Sequence, residues 1–441
     1  MSVSRNQAML ARSLRAVWHP CTQMKHHELL PLVPIRRAEG VWLYDFDERR
    51  ILDAISSWWV NLLGHGHPRI NAALRQQLDV LEHVMLAGFT HEPVVELSEH
   101  LARLAPGELG HCFYASDGAS AIEIALKMSF HYWRNVGKPG KTGFVTLANS
   151  YHGETLGALS VTDVALFRDT YAPLLRASTQ VASPDWRSAQ PGESPREVAL
   201  RCAKALEAHF EQHAAGTAAL ILEPLVQCAG GMAMHDPEYL RRARVLCDRY
   251  EVHLIADEIA VGFGRSGTLF ACEQAGIAPD FLCLSKGLTG GYLPLSVVLS
   301  TDTVYAAFYD DSVARGFLHS HSYSGNPLAC RAALTVLQIL EDEDVIAQNR
   351  SRAATLNRQL AFLHAHPRVA HYRNTGMIWA FDVPGASPDF AQNFSRRALD
   401  LGVLLRPLGN TVYWMPPYAI SEADGALLAN ALARLMDEKN G

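Results

Sequence analysis

Two short apolar runs that each end in a charged residue constrain the fold of this chain more than any other feature. The first run covers residues 253–257 and ends at Asp257, and the second covers residues 281–286 and ends at Lys286. Runs of this length and composition are typical of buried β-strands. Because open α/β folds bind their ligands at the carboxyl edge of a parallel sheet, the pattern predicts that Asp257 and Lys286 lie at such an edge.

Other apolar runs alternate with helical stretches along most of the chain. Further strands are predicted at residues 143–147 and 218–222, and helices at residues 120–136, 237–250 and 327–340. This alternation predicts an α/β fold, with a mainly parallel sheet that helices cover on both faces.

The carboxyl-terminal part has a different pattern, which indicates a smaller α+β domain. It contains a polar helix near residues 344–364, short strands near 377–381 and 403–405, and a final helix. The alternating segment 41–47 is predicted to be an edge strand that joins this domain. We therefore expect a large domain at residues 64–329 and a small domain built from residues 1–63 and 330–441.

Charge and composition narrow the classes of partner. The chain has 441 residues, a formal net charge of -6 and 49% hydrophobic residues, as expected of a globular enzyme. A negative net charge gives no electrostatic basis for binding nucleic acid or an anionic membrane. Small molecules are therefore the expected partners.

The spacing of the cysteines indicates the cellular compartment of the protein, and the spacing of the histidines indicates whether it binds a metal ion. The eight cysteines are scattered without a CxxC pair, which indicates a reduced, cytoplasmic protein. The amino terminus lacks the apolar core of a signal peptide, and no run reaches the roughly 18 apolar residues of a membrane span. The pairs His65/His67 and His319/His321 have no carboxylate at ligand spacing, so we expect no metal site.

The acid and the lysine suit one cofactor, pyridoxal 5'-phosphate (PLP). A lysine amine condenses with its aldehyde, a carboxylate keeps its ring nitrogen protonated, and a helix amino terminus can take its phosphate. Gly118 and Ala119 stand at the predicted start of a helix. Taken singly, Asp257 would more often cap a turn and Lys286 more often be a solvated strand end, but their combination favours PLP.

Several segments together resemble the class III aminotransferases, a family of fold-type I PLP enzymes. These segments are residues 254–259, 262–265, 285–287, 151–153 and 325–329, so that the resemblance spans nearly the whole chain. Residues 18–20, 56–59, 405–407 and 415–418 are similar to the branch of this family that serves biotin biosynthesis. That resemblance implies an amino transfer from S-adenosylmethionine to 8-amino-7-oxononanoate.

The resemblance also implies roles for individual residues. Lys286, Asp257 and Tyr151 would be catalytic, the lysine as the point of cofactor attachment, the aspartate on the ring nitrogen and the tyrosine stacked on the ring. The cofactor would further contact Gly118, Ala119, His321 and Ser322, and the substrates would contact Trp58, Tyr151, Lys286, Ser320, Arg406 and Cys21. The loop 320–322 would reach the partner's site in a homodimer.

Two departures and two alternatives accompany this interpretation. Cys21 stands where the family often has a tyrosine that helps to recognise substrate, and Ala119 stands where a serine or threonine is common. Another class III aminotransferase, using an ω-amino acid with pyruvate or 2-oxoglutarate, is the nearest alternative. A PLP-fold protein that has lost catalysis and acts as a binding module is the second.

Overall fold

The computed structural model describes residues 4–28 and 30–437. Residues 1–3, Leu29 and residues 438–441, which the predicted small domain includes, lie outside the described residues. The chain divides into two compact units. The small unit comprises Met1–Pro68, Ser351–Tyr372 and Trp379–Gly441, and the large unit comprises Arg69–Arg350 and Arg373–Ile378.

The helices and strands are numbered in chain order. The α-helices are α1 (Arg5–Ala16), α2 (Ser56–Trp59), α3 (Pro68–Leu78), α4 (Glu92–Leu104), α5 (Gly118–Asn135), α6 (Leu156–Ser160), α7 (Ala165–Arg168), α8 (Pro195–His213), α9 (Glu238–Arg249), α10 (Asp302–Ala306), α11 (Pro327–Asp342), α12 (Val345–Gln359), α13 (Phe390–Asp400) and α14 (Glu422–Asp437). Short 3-10 helices lie at Met24–Glu28, Asp169–Leu174, Trp186–Ser188, Ala214–Gly216, Ala271–Ala275, Lys286–Thr289, Val313–Arg315 and Ala361–Ala365.

The strands are β1 (Ile35–Glu39), β2 (Trp42–Asp45), β3 (Arg50–Asp53), β4 (His111–Ala115), β5 (Gly143–Leu147), β6 (Thr179–Val181), β7 (Thr217–Leu222), β8 (Val226–Gln227), β9 (Ala233–Met234), β10 (His253–Asp257), β11 (Phe281–Leu284), β12 (Ser296–Ser300), β13 (Ala370–Thr375), β14 (Ile378–Asp382), β15 (Val403–Leu404) and β16 (Thr411–Trp414).

The large unit is built on a seven-stranded sheet with the order β4-β12-β11-β10-β7-β5-β6. The pairs β10/β11, β10/β7, β5/β7 and β5/β6 are parallel, whereas β12 is antiparallel to both of its neighbours. All five residues of β10 and all four of β11 are buried, which explains their continuous apolar character. The predicted α/β fold with a mainly parallel sheet is confirmed.

Helix α5 packs on this sheet through its apolar side. Ile122, Ile124 and Leu126 are buried in a cluster with residues of β7, β10 and β11, such as Ile221 and Ile255. Burying one such side chain stabilises the fold by about 1.5–3 kcal/mol. This packing fixes the first turn of α5 against the large unit's sheet.

The small unit contains a four-stranded sheet with the order β1-β2-β3-β15 and an antiparallel pair of β14 with β16. The prediction of an edge strand at residues 41–47 is wrong, because β1 pairs with β2 on its outer side. Two arginines and a glutamate in β1, at Arg36, Arg37 and Glu39, conceal that strand in the sequence. Within the described residues, no helix combines the length and apolarity that a bilayer crossing requires.

Candidate active site

Three acidic or basic residues follow neighbouring strands at one edge of the large sheet. Asp257 ends β10 and pairs in register with Cys283 of β11, so that Lys286 lies three residues beyond its partner. On the other side of β10, Ala256 pairs with Leu222, which makes Glu223 the residue next to Asp257 across the strands. The structure therefore places Asp257 and Lys286 at a common carboxyl edge, as the sequence predicts, and adds a second carboxylate.

The Asp257 carboxylate is buried and held on both of its oxygens. Its Oδ2 lies 2.7 Å from His152 Nδ1, and its Oδ1 accepts a hydrogen bond from the Ile259 backbone N–H at 3.1 Å. Because the ring nitrogen that faces a carboxylate carries the proton, His152 donates through Nδ1. A carboxylate offers about four lone-pair sites, so Asp257 retains the capacity to accept another N–H.

His152 is a site residue to which the sequence motif at residues 151–153 assigned no role. Its side chain is buried, and within the described residues its Nε2 has no hydrogen-bond partner. Buried polar atoms are nearly always paired, so this atom indicates that a ligand or water completes the site. The signal in the sequence was its position directly after Tyr151.

The loop that carries Tyr151 and His152 is pressed against the start of α5. Gly153 has φ +128°, and a Cβ added there would lie 2.5 Å from Ala119 Cβ. Only glycine permits this approach of backbone to helix. Tyr151 is half-buried, and its hydroxyl donates to Glu154 at 2.9 Å.

The first turn of α5 presents free backbone donors. Asp117 caps the helix by accepting from Ser120 N–H at 2.9 Å and, through its carbonyl, from Ala121 N–H at 3.1 Å, whereas Gly118 and Ala119 begin the helix and their N–H groups have no carbonyl acceptor within it. A Cβ on Gly118 would lie 3.1 Å from Ile259, so this glycine lies against the loop that follows β10. A helix amino terminus of this kind suits a phosphate.

Lys286 combines a strained backbone with a lowered pKa. Its φ is +45°, a left-handed conformation that costs a non-glycine residue about 1–3 kcal/mol. Burial lowers the pKa of Lys286, and the opposing effect of the Asp257 carboxylate is smaller. The residue as a whole is half-buried. A lysine that loses its proton more easily is suited to attack a carbonyl.

Glu223 was missed by the sequence reasoning. It is buried, and its two oxygens accept from the backbone N–H groups of Tyr151 and Cys228, each at 3.0 Å. Burial, followed by the negative charge of Asp257, raises the pKa of Glu223 to about 8. This acid therefore keeps its proton at neutral pH. It ends the apolar run 218–222 as Asp257 ends its own run, which was the available signal.

A second group of predicted residues lies within the small unit. The Arg406 guanidinium carbon is 4.6 Å from the centre of the Trp58 ring, and Arg406 Nη2 donates to the Cys21 carbonyl at 3.2 Å. The structure thus brings together three of the six residues predicted to contact substrate, namely Trp58, Arg406 and Cys21. Trp58 is 42% exposed, whereas its neighbour Trp59 is buried.

Trp58 belongs to α2, which is a left-handed turn. Ser56, Ser57, Trp58 and Trp59 have φ values of 52°, 46°, 71° and 72°. Left-handed conformations cost L-residues about 1–2 kcal/mol each, so the surrounding structure must hold this turn in place.

The loop of Ser320, His321 and Ser322 belongs to the large unit, where His321 takes part in a network of side-chain contacts with His319 and Lys127. Lys127 Nζ is 2.8 Å from His319 Nδ1, and His319 Nε2 is 3.2 Å from His321 Nε2. Ser320 and Ser322 are exposed. Across residues 4–28 and 30–437, no group of three or more histidine, cysteine or acidic side chains is arranged to hold a metal ion.

The residues of the large unit fit PLP. Asp257 has the capacity to accept a further N–H, Gly118 and Ala119 stand at a helix terminus suited to a phosphate, and Lys286 is an amine whose pKa is lowered by burial. The unpartnered Nε2 of His152 is consistent with a bound group at this place.

Comparisons with known proteins point to one family. Residues 23–436 match the family described as aminotransferase class-III. A protein from Helicobacter pylori named adenosylmethionine-8-amino-7-oxononanoate aminotransferase is 44% identical to this chain, with 99% of each chain covered.

Solved structures agree with this assignment. The crystal structure of adenosylmethionine-8-amino-7-oxononanoate aminotransferase from Methanocaldococcus jannaschii has a TM-score of 0.92 and 32% identity, covering 98% of this chain and 99% of that one. A PLP-bound amine transaminase from an uncultivated Pseudomonas species has a TM-score of 0.89 and 32% identity, covering 96% of this chain and 98% of that one. The chain belongs to the class III aminotransferases.

Proposed function

We propose that this chain is a PLP-dependent aminotransferase that moves the amino group of S-adenosylmethionine to 8-amino-7-oxononanoate, giving 7,8-diaminononanoate for biotin biosynthesis. The observation that carries the PLP chemistry is that Asp257, paired with His152, ends the strand next to the one that leads to Lys286. The choice of substrates is supported by the identity to relatives named for this reaction, because the amine transaminase shares the same fold and the fold alone does not select the substrate.

PLP, when bound, supplies an electron sink for the electron pair left on the substrate carbon. Lys286 would provide the amine that attaches the cofactor, and its Nζ would accept a proton from that carbon. Its lowered pKa favours the neutral form that this step needs. Asp257 would accept the ring N–H and hold that proton in place, and His152 Nδ1 fixes the orientation of the carboxylate.

The other predicted residues take part in binding. Gly118 and Ala119 would hold the phosphate at the start of α5, and Tyr151 would lie against the ring. Arg406 would pair with the substrate carboxylate, for which a guanidinium is geometrically suited. The Trp58 ring packs against the guanidinium of Arg406. Cys21 contributes its backbone carbonyl to Arg406, so that the loss of the tyrosine ring removes a side-chain contact and leaves this one.

We also propose that the enzyme is a homodimer located in the cytoplasm. Ser320, His321 and Ser322 would reach the site of the partner, and Ser322 would offer its hydroxyl to the phosphate there. The exposure of both serines and of Leu318, which is 77% exposed, supports this role. All eight cysteines are free thiols, as a reducing compartment favours.

The test follows the visible absorbance of the purified holoenzyme. Adding S-adenosylmethionine should reduce the absorbance of the lysine-bound cofactor, and 8-amino-7-oxononanoate should then restore it with formation of 7,8-diaminononanoate. A response to β-alanine or ornithine and none to S-adenosylmethionine would favour the ω-amino acid alternative. A folded protein that binds no PLP would favour the binding module.

A further inference from the structure

The left-handed turn Ser56–Trp59 is held in place by the buried carboxylate of Asp53. Asp53, at the end of β3, is fully buried. Its Oδ1 accepts from the Ser57 backbone N–H at 2.9 Å and its Oδ2 accepts from the Ser57 hydroxyl at 2.7 Å. His65 Nε2 lies 3.0 Å from the same Oδ2. Three donors therefore converge on Asp53, two of them from the residue that precedes Trp58.

Hydrogen bonds hold residues on both sides of Trp58 in the chain, whereas the ring of Trp58 itself is partly exposed to solvent. The Ser56 hydroxyl donates to the Met415 carbonyl at 2.7 Å, and Trp59 Nε1 donates to the Tyr413 hydroxyl at 3.2 Å. With these anchors in place, the backbone stays in a conformation that serine and tryptophan rarely adopt. The consequence is a tryptophan ring that is 42% exposed although its neighbours are buried or half-buried.

The exposed ring is the surface on which Arg406 lies. The guanidinium carbon is 4.6 Å from the ring centre, a distance at which a cation is attracted to the face of an indole. A planar guanidinium held flat on a ring keeps its edge available for a carboxylate. The orientation of Arg406 thus depends on the place of Trp58, which depends on Ser57 and hence on Asp53.

We propose that Asp53, oriented by His65, is a positioning residue for recognition of the acceptor carboxylate. It holds the left-handed turn that presents Trp58 to Arg406, and so sets the affinity for a substrate acid without touching it. This inference rests on the proposed function, in which Trp58 and Arg406 contact the substrate.

The test compares 8-amino-7-oxononanoate with its methyl ester, which lacks the negative charge, in wild-type and Asp53→Asn holoenzyme. The asparagine oxygen can still accept from Ser57 N–H, but its amide N–H2 faces two other donors. We expect kcat/KM for the acid to fall roughly tenfold, mainly through KM, because a mispositioned guanidinium loses about one charge-assisted hydrogen bond. The value for the ester should change less than twofold.

Two further variants keep the result interpretable. Ser57→Ala removes only the hydroxyl contact, and it should lower the acid-to-ester ratio in the same direction even if Asp53→Asn folds poorly. Asp45→Asn is the matched control, because Asp45 is a buried carboxylate of the same unit that accepts from Asp47 and Arg49 N–H groups, and its ratio should equal that of wild type.

An equal loss for acid and ester, or no loss, in both Asp53→Asn and Ser57→Ala would overturn the positioning role. Failure of the proposed function would look different, since the wild-type enzyme itself would then not aminate 8-amino-7-oxononanoate.

Discussion

Replacing Glu223 by glutamine should change the way the stability of this protein depends on pH. Burial and the charge of Asp257 raise the pKa of Glu223 to about 8, from an ordinary value of 4.5. Between these values the unfolded chain has lost the proton and the folded chain has kept it. Since the folded state binds more protons there, the free energy of unfolding falls as pH rises, and the loss is complete only above pH 8.

The size of this effect follows from the difference between the two pKa values. One pKa unit corresponds to about 1.4 kcal/mol, so the full loss is at most roughly 5 kcal/mol. Glu258 is also buried, and burial raises its pKa to about 7, so its contribution has the same sign and is mostly lost by pH 7. Between pH 7 and 8, ionisation of Glu223 should lower the free energy of unfolding by about 1 kcal/mol and that of Glu258 by only roughly 0.3 kcal/mol.

Urea unfolding of the holoenzyme at fixed protein concentration, at pH 7 and pH 8, measures this difference. Glu223→Gln should be less stable than wild type at pH 7 by about 1 kcal/mol, because its amide N–H2 faces a backbone donor, and should lose about 1 kcal/mol less than wild type from pH 7 to 8. Glu258→Gln is the control and should keep the wild-type change in this interval to within roughly 0.3 kcal/mol. If Glu223→Gln and wild type lose the same free energy from pH 7 to 8, Glu223 is already ionised and the reasoning fails.

Two other substitutions test the surroundings of the strand edge. His152→Ala should lower kcat roughly tenfold or more, because a hydrogen bond to the charged Asp257 at 2.7 Å is lost, whereas His152→Asn, whose amide can donate, should recover part of the rate in steady-state assays. Gly153→Ala should destabilise the protein by about 3 kcal/mol, since a Cβ there lies 2.5 Å from Ala119 Cβ and φ is +128°. A melting temperature equal to that of wild type would show that the loop can move away from Ala119.

The strand pattern predicted the part of the site that depends on sheet topology. Asp257 and Lys286 each end an apolar run, and parallel pairing of β10 with β11 brings both to one edge, so the sequence was sufficient there. Glu223 also follows an apolar strand and lies at the same edge of the sheet. Its role was not predicted, because proline follows it and no neighbouring motif marks the position. The predicted domain limits, at residues 63/64 and 329/330, stay a prediction.

The contacts that depend on side chains far apart in the sequence could not be predicted in this way. The pairing of His152 with Asp257 joins residues 105 positions apart, and nothing local in the sequence marks it. The left-handed turn at Ser56–Trp59 contradicts the preferences of its own residues and is stabilised by Asp53 and by more distant groups. A pair of tryptophans is expected in the core, yet only Trp59 is buried.

Attachment of PLP to Lys286 is the claim on which the account depends most, and peptide mapping after borohydride reduction tests it directly. Reduction of the holoenzyme should leave one pyridoxyl group per chain, on the peptide that contains Lys286, and Lys286→Ala should carry none and show no turnover. A label on another lysine, or an active Lys286→Ala enzyme, would contradict the account.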